Sequence, residues 1–236
     1  MIVVNKPPEL LLIAGQLCTS SLWKDVVPKL SDVANVRIVM PQALDSIKSI
    51  ASNILESAPE TFSLCAHAMG GFIAFEIIRI APQRVERLAL LDTLATPDFP
   101  EQIARRHAYT KLLEQGEFLD IVQTRIPMLL HPDRVSDAPL ISTILEMARD
   151  TGQDKFVIQQ KAIMSRRDSR PDLGKINAVT LVLAGDADGI VSIERTRELA
   201  DGIPHAKLVL IEGCGHLAPL EKPDAVSKAL LQWMQS

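Results

Sequence analysis

The chain has 236 residues, with 25 lysines and arginines against 29 aspartates and glutamates for a formal net charge of −4. That length is enough for one sizeable core, and the acidic balance, with no stripe of basic side chains to neutralise a phosphate backbone, excludes nucleic acid as an expected partner. The longest apolar runs, Leu10 to Gly15 and Leu88 to Leu91, fall far short of the ~20 residues a membrane-crossing helix needs. The first residues also lack a basic stretch followed by an apolar run and a small-residue cleavage site, so a soluble, cytoplasmic protein is expected. Three cysteines, Cys18, Cys65 and Cys214, without a Cys-x-x-Cys pair suggest neither a disulfide framework nor a zinc site.

In chain order, four short apolar segments read as buried strands: Leu10 to Ala14, Val36 to Met40, Phe62 to Ala66 and Leu88 to Leu91. Helical spacing separates them at Ser20 to Leu30, Asp45 to Ser57 and Met69 to Ile80. Alternation of this kind predicts a mostly parallel sheet with helices on both faces. From Pro97 to about Ile176 the strand signals vanish and helical patterns take over: Glu101 to Glu114, Glu117 to Leu130, Leu140 to Asp150 and Lys155 to Arg166. Strand Thr180 to Ala184, helix Ser192 to Asp201, strand Lys207 to Ile211 and helix Asp224 to Met234 then complete a sheet of about six strands. The expected organisation is an α/β core, 1–96 and 177–236, with a helical cap, 97–176, inserted between two strands. A cap placed over strand ends would line a pocket, although Met128, Leu129, Leu145 and Met147 are each expected to pack helix on helix.

The chemistry gathers at strand ends. Strand Phe62 to Ala66 runs into Ala66-His67-Ala68-Met69-Gly70-Gly71 and at once into a helix. Small residues two before and two after a central residue, on a strand-to-helix turn, form the nucleophile elbow pattern. The turn presents its central side chain at a helix N-terminus, where backbone N–H groups favour developing negative charge. At this point the sequence resembles the α/β-hydrolase superfamily, whose esterases and lactonases often read Gly-His-Ser-Met-Gly-Gly. Ala66 in place of the first glycine is a tolerated small residue. Ala68 stands where the nucleophilic serine is expected, and a methyl group cannot attack a carbonyl.

The resemblance extends to two later motifs. Gly185-Asp186-Ala187-Asp188 after a strand matches the family's Gly-x-x-Asp and assigns the acid to Asp188, with Asp186 its near rival, expected to be solvated or a loop hydrogen-bonder. Gly213-Cys214-Gly215-His216 matches Gly-x-Gly-His and assigns the general base to His216, oriented by Asp188. Ala14-Gly15-Gln16, followed by Trp23 in the core, is similar to the family's first oxyanion loop, so the N–H groups of Gln16 and Met69 are implied as the oxyanion hole. Asp92 is a second candidate acid, and Cys18, Ser20, Ser21 and Cys214 lie near enough in sequence to be weighed as displaced nucleophiles. His67 is expected to pack under the turn, and His107, His131 and His205 to lie at the surface or in the cap. Arg166-Arg167-Asp168-Ser169-Arg170 reads as a solvated basic hinge, with contact to an anionic substrate as its alternative.

The resemblance implies a serine hydrolase acting on a small-molecule carboxylic ester, thioester or lactone, with no metal or organic cofactor. Few aromatic residues, six Phe, two Trp and one Tyr, suggest a small to medium aliphatic acyl group. Alanine at 68 leaves three accounts: a nucleophile-to-alanine variant of a serine enzyme; a natural serine-less member in which His216 and Asp188 abstract a proton, as in lyase or cofactor-free oxygenase chemistry; or a non-catalytic ligand-binding protein.

Overall fold

The computed structural model describes residues 7–113, 116 and 118–236. Six strands, β1 (Glu9–Ile13), β2 (Asn35–Val39), β3 (Phe62–His67), β4 (Val85–Leu91), β5 (Val179–Gly185) and β6 (Lys207–Ile211), form one parallel sheet in the order β2-β1-β3-β4-β5-β6. Continuous apolar runs suit strands covered on both faces. Along β3 all six residues are buried, and alternate side chains enter two separate cores: Leu64 and Ala66 on one side, Cys65 on the other.

Helices α1 (Val27–Leu30), α2 (Ile47–Ser57) and α3 (Met69–Ile80) connect the first four strands. In α2 the buried residues Ile47, Ile50, Ala51, Ile54 and Leu55 repeat at helical spacing, and the Ser46 hydroxyl caps the helix by accepting from the Ser49 N–H at 3.1 Å. The single helix expected over Ser20 to Leu30 is instead a 3₁₀ turn, Ser20–Trp23, followed by the short α1. Pro28 explains the break, because it has no N–H and its ring clashes with the carbonyl four residues back. Strand β4 begins three residues earlier than the apolar run implied, since Glu86 and Arg87 hide its first half.

Helices α4 (Pro100–Leu113), α5 (Phe118–Leu129), α6 (Ala138–Thr151) and α7 (Gln153–Met164) lie between β4 and β5. Asp137 caps α6 by accepting from the Leu140 N–H, and Gly152 at φ +79° separates α6 from α7. The expected helix ends at Glu114 and Glu117 fall outside the described residues. After β5 come α8 (Ile193–Gly202), α9 (Ala218–Glu221) and α10 (Pro223–Met234), of which the four-residue α9 had no sequence signal of its own. Helices α2, α3 and α8 cover one face of the sheet and α1 and α10 the other, and the buried residues of α5 and α6 extend the apolar core on that second side. Among the described residues no helix is long and apolar enough to cross a membrane.

Strand order reverses between β1 and β3: the chain goes outward from β1 to β2, then returns to the far side of β1. In open α/β sheets a crevice forms at the carboxyl ends of the strands at such a switch point. The loops following β1 and β3 begin at Ala14 and Ala68, so the topology brings the two N-terminal motifs together.

Candidate active site

The turn from β3 to α3 holds Ala68 at φ +50°, ψ −111°. This is a strained conformation for any residue with a β-carbon, and such strain persists only where the surroundings over-determine it. Here the Ala68 N–H donates to the Leu91 carbonyl at 2.9 Å, and the Ala68 carbonyl accepts from the Gly71 N–H at 2.9 Å and from the Thr93 hydroxyl at 2.8 Å. Close approach makes two glycines obligatory. A β-carbon on Gly70 would lie 2.6 Å from the Ile13 carbonyl oxygen, and one on Gly15 would lie 2.9 Å from His67 Nδ1 and 3.1 Å from the Ala68 β-carbon. Gly15 thus lets the loop after β1 lie directly against the elbow.

On the other side of the crevice His216 Nδ1 and Asp188 Oδ2 are 2.8 Å apart, with both side chains buried. The second Asp188 oxygen accepts from the N–H groups of Ile190 at 2.7 Å and Val191 at 2.9 Å. Those two bonds fix the carboxylate, and the carboxylate fixes the imidazole, leaving Nε2 as its free nitrogen. Asp92 does not take this place: its Oδ1 accepts from the Gly185 N–H at 3.0 Å, and burial, reinforced by the nearby Asp188 charge, raises its pKa well above the carboxylate range. Asp186 accepts from the Cys214 N–H at 3.2 Å as a loop hydrogen-bonder.

His67 packs beneath the turn, 1% exposed, and its Nε2–H donates to the His216 carbonyl at 2.8 Å. Burial, aided by repulsion from His216, pushes its pKa down to about 3, so it is a neutral strut. The thiols are equally inert. Cys18 borders the crevice, but burial pushes its pKa up to about 12, and Cys214 is wholly buried with its pKa raised for the same reason. Ser20 and Ser21 sit in the 3₁₀ turn and do not line the cavity. His131 and His205 fall in loops and His107 on the outer surface of α4.

Ala68, His216, Gln16 and Met69 all face one cavity of about 110 Å³. Its roof is supplied by the inserted helices: Met128, Leu129 and Met147, expected to pack only helix on helix, also line it. Leu145 alone of the four stays in the packing between helices. The lining is more polar than the aliphatic one expected. Arg166, expected in a solvated hinge, is 8% exposed; it donates to the Thr96 carbonyl at 2.9 Å and to Asp98 at 2.7 Å, and its guanidinium lies 4.4 Å from the Phe72 ring centroid. Apolar Ile163 before it and the buried Asp98 carboxylate explain the difference: the stem packs inward and the charge is paired there. Arg106 joins Asp98 at 2.6 Å and Gln160 at 2.6 Å.

Sequence reasoning missed Asp98, Arg106, Gln160, Arg125 and Glu221. Arg125 had a signal, since Ile121, Val122, Ile126 and Leu129 form the buried stripe of α5 and place residue 125 on the same face. Glu221 joins the insertion to the histidine loop by accepting from the Gly215 N–H at 2.8 Å and the His131 N–H at 2.9 Å. Beside it the His216 N–H donates to the Leu129 carbonyl at 2.9 Å. Among the described residues no group of three or more His, Cys, Asp or Glu side chains could hold a metal ion.

The family profile described as alpha/beta hydrolase fold matches residues 57–223, spanning the elbow, the inserted helices and the histidine loop. The chain belongs to the α/β-hydrolase-fold family. It is 28% identical to the RutD protein of Agrobacterium fabrum, whose assigned name is that of a carbamate hydrolase, over 96% of this chain and 93% of that one. It is 26% identical to the pimeloyl-[acyl-carrier protein] methyl ester esterase of Nitrosomonas europaea, over 92% of each chain. Among solved structures it is similar to a thermophilic esterase from Thermogutta terrifontis, with a TM-score of 0.87 and 26% identity, covering 98% of this chain and 90% of that one. As a member of the α/β-hydrolase family, the protein is a hydrolase by kinship.

Proposed function

We propose that the site is built for acyl transfer on a small carboxylic ester, thioester or lactone, with residue 68 as the nucleophile position, His216 as general base and Asp188 as its orienting acid. The observation that carries this reading is the strained backbone at Ala68 facing the same cavity as a histidine already fixed by a carboxylate. Alanine gains nothing from φ +50°, whereas a hydroxyl there would be presented at the N-terminus of α3. Similarity to two proteins named as esterases supports the same class of bond.

With serine at 68, His216 Nε2 would take the hydroxyl proton as the oxygen attacks the carbonyl. The Gln16 and Met69 N–H groups would stabilise the tetrahedral oxyanion. His216 would then return the proton to the leaving oxygen or sulfur, and a water molecule would repeat the sequence to release the acid. Residues 97–176 act in this reading as a cap that closes the cavity over a core of 1–96 and 177–236. With alanine at 68 no acyl-enzyme forms, and the chain as it stands is a binding form of the enzyme.

The test is hydrolysis of p-nitrophenyl esters of increasing acyl length by the chain as it stands and by Ala68→Ser at neutral pH. The serine form is expected to turn over short esters at least about a hundredfold faster, with a burst of acyl-enzyme. Equal inertness of both forms would overturn acyl transfer and leave proton abstraction by His216, or binding alone, as the account of the site.

A further inference from the structure

The cavity holds more positive charge than its own side chains balance. Arg106 and Arg166 share one carboxylate, Asp98, at 2.6 and 2.7 Å. Arg125 lines the same cavity and has no carboxylate partner among the described residues; its one hydrogen bond is a long one, 3.4 Å, to Gln16 Oε1. Three guanidiniums therefore meet one carboxylate on the helical side, since Asp92, the other acid in the lining, lies on the sheet side with its pKa raised by burial; Arg105 adds a fourth guanidinium at the exposed rim. A guanidinium does not lose its proton in proteins, so this excess charge is permanent.

Two further groups carry unused donors. Gln160, 1% exposed, accepts from Arg106 through Oε1 while its buried Nε2 has no partner. Gln16 accepts from Arg125 through Oε1, and its Nε2 is likewise buried and unpartnered. Buried donors without acceptors are rare in a folded protein and costly when left so. Unpaired N–H groups from two carboxamides and a guanidinium ask for an acceptor bearing negative charge.

We infer that Arg125, with Gln16 and Gln160, forms an anion-binding subsite, so that the substrate is an ester or thioester carrying a free carboxylate. A planar guanidinium fork suits a carboxylate's two oxygens. Gln16 ties the two halves of the recognition together: its backbone belongs to the loop beside the elbow and its side chain to the subsite. The inference rests on the acyl-transfer reading for the word substrate, and on the lining alone for the anion.

Because Ala68 prevents turnover, binding can be read directly by calorimetry on the unsubstituted chain. The probes are monomethyl glutarate and methyl glutaramate, the isosteric neutral amide, each in a buffer free of phosphate. The charged ester is expected to bind at least about tenfold more tightly. Arg125→Gln should abolish that preference, and a circular-dichroism spectrum matching that of the unsubstituted chain reports that the variant is folded. Equal affinity of the two probes for the unsubstituted chain would overturn the subsite, and that comparison needs no variant. Inorganic phosphate that competes as strongly as the charged ester would overturn the carboxylate assignment in favour of a general anion site. The hydrolase reading fails separately: an inert Ala68→Ser chain that still prefers the charged ester would leave the subsite standing, and active turnover without that preference would remove the subsite alone.

Discussion

The two walls of the cavity are built on different principles. The sheet side is a set of short-range constraints: Ala68, Gly185 and Gly213-Cys214-Gly215 follow directly from strand ends, and each polar side chain there has a neighbour that holds it, Asp188 by the Ile190 and Val191 N–H groups and His216 by Asp188. The helical side is assembled from residues far apart in the chain, Asp98, Arg106, Gln160 and Arg166, with Arg125 held only weakly. A wall that holds its carboxylate and imidazole by hydrogen bonds suits chemistry that needs fixed atoms, whereas a wall with a loosely held charge suits recognition of a group the protein does not itself contain.

If that contrast is right, damage to the sheet side should fall on the rate of chemistry. In an Ala68→Ser background, Asp188→Asn is expected to lower kcat by about 10⁴-fold with a small change in KM, because the imidazole would be held in the wrong tautomer. Steady-state kinetics on the ester series checks this, and a change in KM alone would place Asp188 in binding instead. The seam between the walls should be the next most sensitive place. Glu221→Ala leaves the buried Gly215 and His131 N–H groups without an acceptor and is expected to cost about 3 kcal/mol of stability. Denaturant unfolding measures it, and a loss under half that size would mean that water replaces the carboxylate.

The smallest effect is the most specific to the strut beneath the elbow. The His67 pKa falls from 6.5 in the unfolded chain to about 3 in the fold. The unfolded state therefore takes up a proton below pH 6.5 that the native state refuses, so His67's contribution is complete above that pH and is lost as the pH falls toward 3. The slope approaches about 1.4 kcal/mol per pH unit. His67→Gln should remove one proton's worth of slope from the stability profile between pH 6.5 and 4, whatever it does to the absolute value. An unchanged profile would show that His67 is protonated in the native state.

The parallel sheet and its order of motifs were legible because each strand carries a short apolar segment and each motif begins near a strand end; β6, over Lys207–Ile211, and α3 have the expected limits to the residue. The boundaries that slipped did so for local reasons, Pro28 dividing one expected helix and Glu86 and Arg87 concealing the start of β4. That Asp188 and His216 would meet could be read in advance, since a Gly-rich strand end is a one-dimensional signal. Arg166 was read as solvated because a basic run in sequence looks the same whether its charge meets water or a buried acid, and Asp98 stands 68 residues away in the chain.

The sequence by itself determined the fold, the strand ends at which Ala68, Asp188 and His216 stand and the alanine at residue 68, because hydrophobic period and turn glycines are written locally. Only the tertiary structure decided what the inserted helices contribute. Which of their charges are paired, and that Arg125 is not, depends on helices α4, α5 and α7 meeting over the sheet, where burial turns an ordinary surface residue type into an unbalanced charge.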